Sequence, residues 1–424
     1  LSLQASLIFL DFEDQLANET IQSILAIKKI QLQNGVEGCH RYVISNCQSA
    51  LHIIEVYVLA KLLIGDKEDL PLDIVPLFET IGDLAHCASI MRDVYSVEEY
   101  RHHLSLRNNH QTVMLGFSDG TKDGGYLRAN WSIFRAKESL TAVSRQFGLK
   151  ALFFDGRGGP PARGGGNTHD FYASLGETIE QEEVQVTVQG QTISSNFGKP
   201  ASCQYNLEQL ISAGVECEVF GRNTSMTEAE KTLLDELADA GYQAYLTLRQ
   251  HEKFVPYLEK VTPLPFFGDT NIGSRPVKRS GGSGLKFEDL RAIPFVGSWA
   301  MMKQNIPGFY GVGSAVRALR EKNKELELRK LYQNSLFFRT LLGNSMMSLS
   351  KTYYPATTYL RDDPEFGMFW KKMFDEYELS KSQSLEIAEM SELMANNPNI
   401  QQSVYLREQV VLPLIAIQQA SIMN

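Results

Sequence analysis

Over the first 200 residues the apolar and polar positions change rhythm about every 35 residues, alternating short extended runs with longer helical ones. Runs rich in β-branched and aromatic residues, YVIS at 42–45, IVPLF at 74–78, VMLGF at 113–117, ALFF at 151–154 and VQVTV at 184–188, read as strands. Residues 48–64 and 127–147 carry helical periodicity. The alternation predicts an α/β fold with a parallel sheet, either doubly wound or part of a (β/α)8 barrel. Beyond about residue 197 strand signals become sparse. Thr227 and Glu230 form a capping box opening a helix toward Ala240, and residues 315–332 alternate leucine with dense charge, as a solvated amphipathic helix does. The remainder reads as mostly helical. Residues 271–294, NIGSRPVKRSGGSGLKFEDLRAIP, interrupt it as a loop rich in glycine, serine and basic side chains, a composition that suits an anion.

Composition narrows the class. With 43% hydrophobic and 21% charged residues, a chain of 424 can bury a large core. Its 41 basic and 50 acidic side chains leave a net charge of -9, which gives no general attraction to nucleic acid or an anionic membrane. Cys39, Cys47, Cys87, Cys203 and Cys217 show no CxxC spacing, so neither a zinc cluster nor a disulfide framework is expected, and a reducing, cytoplasmic setting fits. The most apolar stretch, residues 50–64, is interrupted by His52, Glu55 and Lys61 and falls short of the roughly 20 residues of a membrane span. The first residues, LSLQASLIFLDFEDQ, lack a basic leader and run straight into helical periodicity, as though the chain began mid-fold.

Three successive predicted strands end in an acid: Glu79, Asp119 and Asp155. Parallel α/β folds build catalysis at strand C-termini, and carboxylates from two such ends, completed by water and substrate oxygens, suit magnesium. For any one acid an ordinary helix cap is the commoner explanation; three in equivalent places weaken it. FFDGRGGPPARGGGN, residues 153–167, sets Arg157 and Arg163 among glycines directly after a strand. Glycine lets backbone N–H groups approach an anion, and guanidinium grips phosphate or carboxylate in a fork, so the segment reads as a mobile anion-binding loop. No GK[ST] follows, so it is not a nucleotide P-loop. SDGTKDGG, residues 118–125, puts Lys122 and Asp123 beside Asp119, while Arg275 and Arg291 flank the second basic loop as candidate phosphate clamps. The eight histidines show no HExxH or other paired metal spacing, and no GxSxG or cysteine nucleophile context occurs.

Taken together, VPLFETIGDL (75–84), VMLGFSDGTKDGG (113–125), FDGRGGPPARGGG (154–166), GSRPVKR (273–279) and LRAIP (290–294) resemble, in order and spacing, the C-terminal half of phosphoenolpyruvate carboxylase. The likeness continues through YVIS near Tyr42, FVPYL at 254–258, the Trp299 region and YLRE at 405–408, covering essentially the whole chain. The resemblance implies the later strands of a (β/α)8 barrel wrapped by additional helices, with residues 1–200 holding βα units that carry the metal and glycine-loop motifs. Residues 201–424 would then be mostly helical, with the phosphate-binding loop 271–294 and an effector site. It implies a carboxy-lyase in which bicarbonate attacks the phosphorus of phosphoenolpyruvate, giving carboxyphosphate and an enolate that captures the released carbon dioxide to form oxaloacetate. Glu79 and Asp119 would hold Mg2+ or Mn2+, Arg275 and Arg291 the phosphoryl group, and Arg157 the substrates, while Arg163 would ride on a loop that closes over them. Lys351, Arg407, Asn424 and Arg163 match positions that bind a dicarboxylate inhibitor such as aspartate or malate, which would withdraw the loop arginine. A cytoplasmic homotetramer is implied, with no nucleic-acid or membrane partner.

Two departures stand out. Asp155 occupies the catalytic position where the family reads FHGRGG, and QVTVQGQTI at 185–193 replaces a typical RVTEQGE. The family's TAHPT-like histidine motif and a further active-site arginine belong to an N-terminal half that these residues do not include. Two other readings stay open at this point: a noncatalytic relative that binds a phosphometabolite or dicarboxylate as a regulatory module, which Asp155 favours, and another magnesium enzyme acting on an enol phosphate.

Overall fold

The computed structural model describes residues 12–65, 69–188, 191–220, 225–269 and 285–423. The chain divides into two compact units, one of Leu1–Gly116, Arg135–Asp155 and Thr178–Val186, the other of Phe117–Phe134, Gly156–Glu177 and Thr187–Asn424.

The first unit is built on a sheet of β1 (Arg41–Ile44), β2 (Asp73–Phe78), β3 (His110–Leu115), β4 (Lys150–Asp155) and β5 (Val184–Val186). All neighbours are parallel and lie in chain order, with Val43 opposite Val75, Phe78 opposite Leu115, Leu115 opposite Asp155 and Phe153 opposite Val184. A doubly wound sheet reverses its order at a switch point; the described strands contain no reversal. The middle strands are buried along most of their length, as a parallel sheet covered by helices requires, whereas β1 and β5 are half-exposed. The helices Ala50–Ile64 and Ile81–Ser96 pack on β2, the second opened by a reciprocal cap of Thr80 and Asp83. The predicted strands agree with these to within a few residues. In the VMLGF run, Gly116 and Phe117 leave the strand, and Phe117 opens the helix Phe117–Gln146.

The second unit is helical around an aromatic core. Tyr257 stacks on Trp299 with centroids 5.7 Å apart, and Trp370 stacks on Phe374 at 5.3 Å. The capping box at Thr227 and Glu230 opens Glu228–Arg249 as predicted. Residues 315–332 do not form one helix: Val312–Glu321 ends and Glu325–Asn334 begins across a turn in which Asn323 takes φ +60. Asparagine reaches the left-handed region cheaply, and the break lets Leu319 and Leu328 both turn inward. The end of the predicted 271–294 loop is also helical, because Ala292–Met301 starts at Ala292 and takes Pro294 into its first turn, where no intrahelical N–H bond is lost. Residues 271–284 of that segment lie outside the described residues.

Candidate active site

In the sheet unit Glu79 directly follows β2, and its Oε2 accepts the Asn46 N–H at 3.3 Å. The tips of β2 and β3 are tight: a Cβ at Gly116 would come within 3.0 Å of the Glu79 Cα. Asp155 is the last residue of β4 and is fully enclosed. Its Oδ2 lies 2.7 Å from Lys137 Nζ, with side-chain exposures of 0% and 2%. The Lys137 ammonium also sits 5.1 Å from the centre of the Phe153 ring. Lys137 drew no attention as a motif residue, since it lies mid-helix and 18 positions from its partner.

In the helical unit Asp119 stands in the first turn of Phe117–Gln146, where the unpaired helix N–H groups favour a carboxylate. Its charge acts on Arg163: burial pulls the Arg163 guanidinium down, and Asp119 opposes that pull. The glycine segment is folded on itself and on the start of this helix. The Gly158 N–H donates to the Arg163 carbonyl at 3.2 Å, the Gly165 N–H to Pro160 at 3.0 Å, and the Ser118 hydroxyl to the Arg163 carbonyl at 3.1 Å. Gly164 adopts φ +75 with the Phe117 Cβ only 2.6 Å from where its own would sit, and a Cβ at Gly165 would lie 1.8 Å from the Gly158 carbonyl. Only glycine fits either position.

Arg157 is buried and held from three sides. Its Nη1 donates to the Thr168 hydroxyl at 3.2 Å, its Nη2 donates to the Asn167 carbonyl at 3.0 Å, and its guanidinium lies 4.6 Å from the Phe171 ring centre. Among the described residues no acceptor meets the buried Nε of Arg157 or of Arg163. Asn344, absent from the sequence reasoning, braces the far end of the segment: its Oδ1 accepts the Asn167 N–H at 3.2 Å and its Nδ2 donates to the Tyr126 hydroxyl at 2.9 Å. Burial pushes the Tyr126 phenol up to about 12, with Arg157 opposing.

Lys122 is buried, and it ties two motifs together. Its Nζ donates to the Leu290 carbonyl at 2.6 Å, one residue before Arg291, which caps the helix Ala292–Met301. Asp123 pairs with Arg249 at 2.6 Å. Lys351 ends the helix Leu336–Ser350; burial first, then Arg407 and Lys303, pull its ammonium below the ordinary lysine range. Thus the unit brings Arg163 to Asp119, Lys122 to the backbone beside Arg291, and Lys351 to Arg407. Arg275 and Asn424 lie outside the described residues.

Among the described residues no three histidine, cysteine, aspartate or glutamate side chains gather as a ready metal cage. Magnesium does not require one: it keeps several waters and takes one or two carboxylates plus substrate oxygens, and Glu79 and Asp119 are hard-oxygen donors of that kind. No helix among the described residues is long and apolar enough to cross a membrane.

Parallel strands whose C-terminal ends lead into acids and into a glycine-rich segment bearing arginines define an α/β protein. A family model described as phosphoenolpyruvate carboxylase matches residues 7–424, and the chain belongs to that family. It is 34% identical over 97% of its length to the phosphoenolpyruvate carboxylase of Nitrosomonas europaea and 35% identical over 96% to that of Corynebacterium diphtheriae. Over 91% of its length it is 35% identical to that of Mycobacterium leprae. The chain spans about half the length of these relatives, 45%, 46% and 43% respectively.

Proposed function

We propose that this chain is the part of a cytoplasmic phosphoenolpyruvate carboxylase that carries the metal acids, the glycine loop and the effector site, and that its sheet belongs to a (β/α)8 barrel. Strand order equal to chain order supports the barrel, since staves follow one another in that way. The observation that carries the function is the Arg157–Arg163 segment. It holds one buried and one half-buried guanidinium group, each with a buried Nε that meets no acceptor among the described residues, in backbone that only glycine can adopt. Such groups call for an anion.

In the proposed reaction an oxygen of bicarbonate attacks the phosphorus of phosphoenolpyruvate. The bond from phosphorus to the enol oxygen breaks, leaving carboxyphosphate and the enolate. Carboxyphosphate parts into carbon dioxide and phosphate, and the enolate carbon bonds to carbon dioxide, giving oxaloacetate. Arg275 and Arg291 bind the phosphoryl group, and Lys122 fixes the backbone at Leu290 so that Arg291 meets it in one geometry. Arg157 orients the substrates, while Arg163 neutralises charge and, with its segment, keeps water from the labile intermediates. Glu79 and Asp119 would hold a divalent ion, which supplies Lewis-acid stabilisation of the enolate charge when bound. Asp155, at the catalytic position, enters as a carboxylate already paired with Lys137, able to fix charge at the tip of β4. Lys351, Arg407, Asn424 and Arg163 form an inhibitory site for a dicarboxylate such as aspartate or malate, and the working protein is a homotetramer.

The test is oxaloacetate formation coupled to NADH oxidation by malate dehydrogenase, with and without added bicarbonate. Bicarbonate-dependent oxaloacetate is expected. Phosphate release that ignores bicarbonate would replace carboxylation by a phosphatase-like activity.

A further inference from the structure

After the helix Ala292–Met301 the chain turns sharply, with Lys303 and Asn305 both in the left-handed region at φ +58 and +45. Neither residue is glycine, so each costs something to hold there. The turn is held by the end of the helix Leu336–Ser350. The Lys303 carbonyl accepts the Tyr353 N–H at 2.8 Å, and the Asn305 amide donates to the Lys351 carbonyl at 3.0 Å. The result is that Lys303, buried, is set beside Lys351, and Arg407 of the helix Pro398–Met423 also acts on Lys351. Three cations share one locality, Lys303 buried, Lys351 half-buried and Arg407 exposed, and like charges placed together repel.

Among the described residues one carboxylate acts on Lys351. Glu408 Oε1 lies 2.5 Å from Lys303 Nζ, with side-chain exposures of 19% and 6%. Its second oxygen, Oε2, is buried and meets no hydrogen-bond partner among the described residues. Glu408 therefore neutralises one cation and leaves the cluster with more positive than negative charge. Lys351 stays under a net pull that lowers its proton affinity, Glu408 being the smallest of the influences acting on it.

We infer that Glu408 is an internal occupant of the effector site: its carboxylate pairs with Lys303 beside Lys351 and places a fixed negative charge where a dicarboxylate would approach Lys351 and Arg407, so this chain binds such effectors weakly. The inference rests on the proposed effector role of Lys351 and Arg407. A ligand with two carboxylates meets two remaining cations and one fixed like charge, and a like charge beside the ligand is an effective element of discrimination. A single carboxylate can still pair with Lys351 and Arg407 without crowding Glu408. Glu408 is thus a specificity-determining residue, acting by occupancy and repulsion together.

The test is isothermal titration calorimetry of L-aspartate, and separately L-malate, into the intact protein and its Glu408→Gln and Glu408→Ala variants, each also with Lys351→Met. The two Glu408 variants remove the charge with and without the side-chain bulk, and a thermal melt checks that each is folded. Both should bind the dicarboxylates about tenfold or more tightly than the parent, as release of a charge-assisted contact allows, and Lys351→Met should remove that gain. Equal affinity in the parent and both Glu408 variants, with Lys351→Met still weakening it, would overturn the occupancy of Glu408 and leave the effector site standing. No binding to any of the proteins would remove the effector site itself, and the inference with it.

Discussion

Two lysine–carboxylate pairs with a buried lysine differ in how far the carboxylate is exposed. Lys137 and Asp155 meet at 2.7 Å with exposures of 2% and 0%, one cation against one anion within the sheet unit. Lys303 and Glu408 meet in the helical unit at the edge of the surface, and Lys351 and Arg407 add positive charge that one carboxylate does not balance. The enclosed pair lies out of reach of solvent at the tip of β4. The second pair is the more open of the two, with Glu408 19% exposed.

The comparison breaks most severely at the closed pair. Asp155→Asn removes the carboxylate charge that Lys137 meets in the interior and should cost about 3–5 kcal/mol in denaturant unfolding. Lys137→Met with Asp155→Leu should recover most of that loss, because neither charge is then left alone. A loss under about 1 kcal/mol for Asp155→Asn would mean that water reaches the pair.

His103 sharpens the contrast as a buried titratable group whose Nε2 meets no hydrogen-bond partner among the described residues. It is buried in the sheet unit, and burial lowers its pKa from 6.5 to about 4, with Asp73 opposing and Arg107 and Lys61 assisting. The unfolded chain takes up a proton at a pH where the folded one does not. The contribution is therefore complete above 6.5 and lost as pH falls through about 4. Stability should fall by about 3 kcal/mol more in the parent than in His103→Gln between pH 7 and pH 4, read from urea unfolding at each pH.

Lys122 provides a third case, a buried lysine that donates to the Leu290 carbonyl. Lys122→Met should lower kcat/KM for phosphoenolpyruvate about tenfold by loosening the backbone beside Arg291 while leaving the melting temperature nearly in place. The smallest effect belongs to the open pair. Glu408→Gln should change stability by about 1 kcal/mol or less, and the difference should shrink further in 1 M salt.

Much of this was legible before the fold was known. Apolar runs bounded by turns located every strand, and Thr227 with Glu230 announced its helix, because strand periodicity and capping chemistry are local. The order of motifs pointed to Arg157, Arg163 and Asp119 together. What stayed hidden was long-range pairing. Lys122 meets the Leu290 carbonyl across 168 positions, and Asn344 meets Asn167 across 177. Nothing in a helix's own pattern says which of its lysines will turn inward, so Lys137 looked like any other charged position. The turn at Asn323 was missed for a related reason: leucines on both sides keep a helical rhythm, and one residue in the left-handed region suffices to break it.

The account stands most directly on the acids that follow successive strands. Turnover of phosphoenolpyruvate and bicarbonate to oxaloacetate should be followed as a function of Mg2+ concentration for the parent and for Asp119→Asn. The parent should saturate with the ion, and Asp119→Asn should lose turnover at every concentration. The same saturation curve and the same maximal rate in Asp119→Asn would contradict the account.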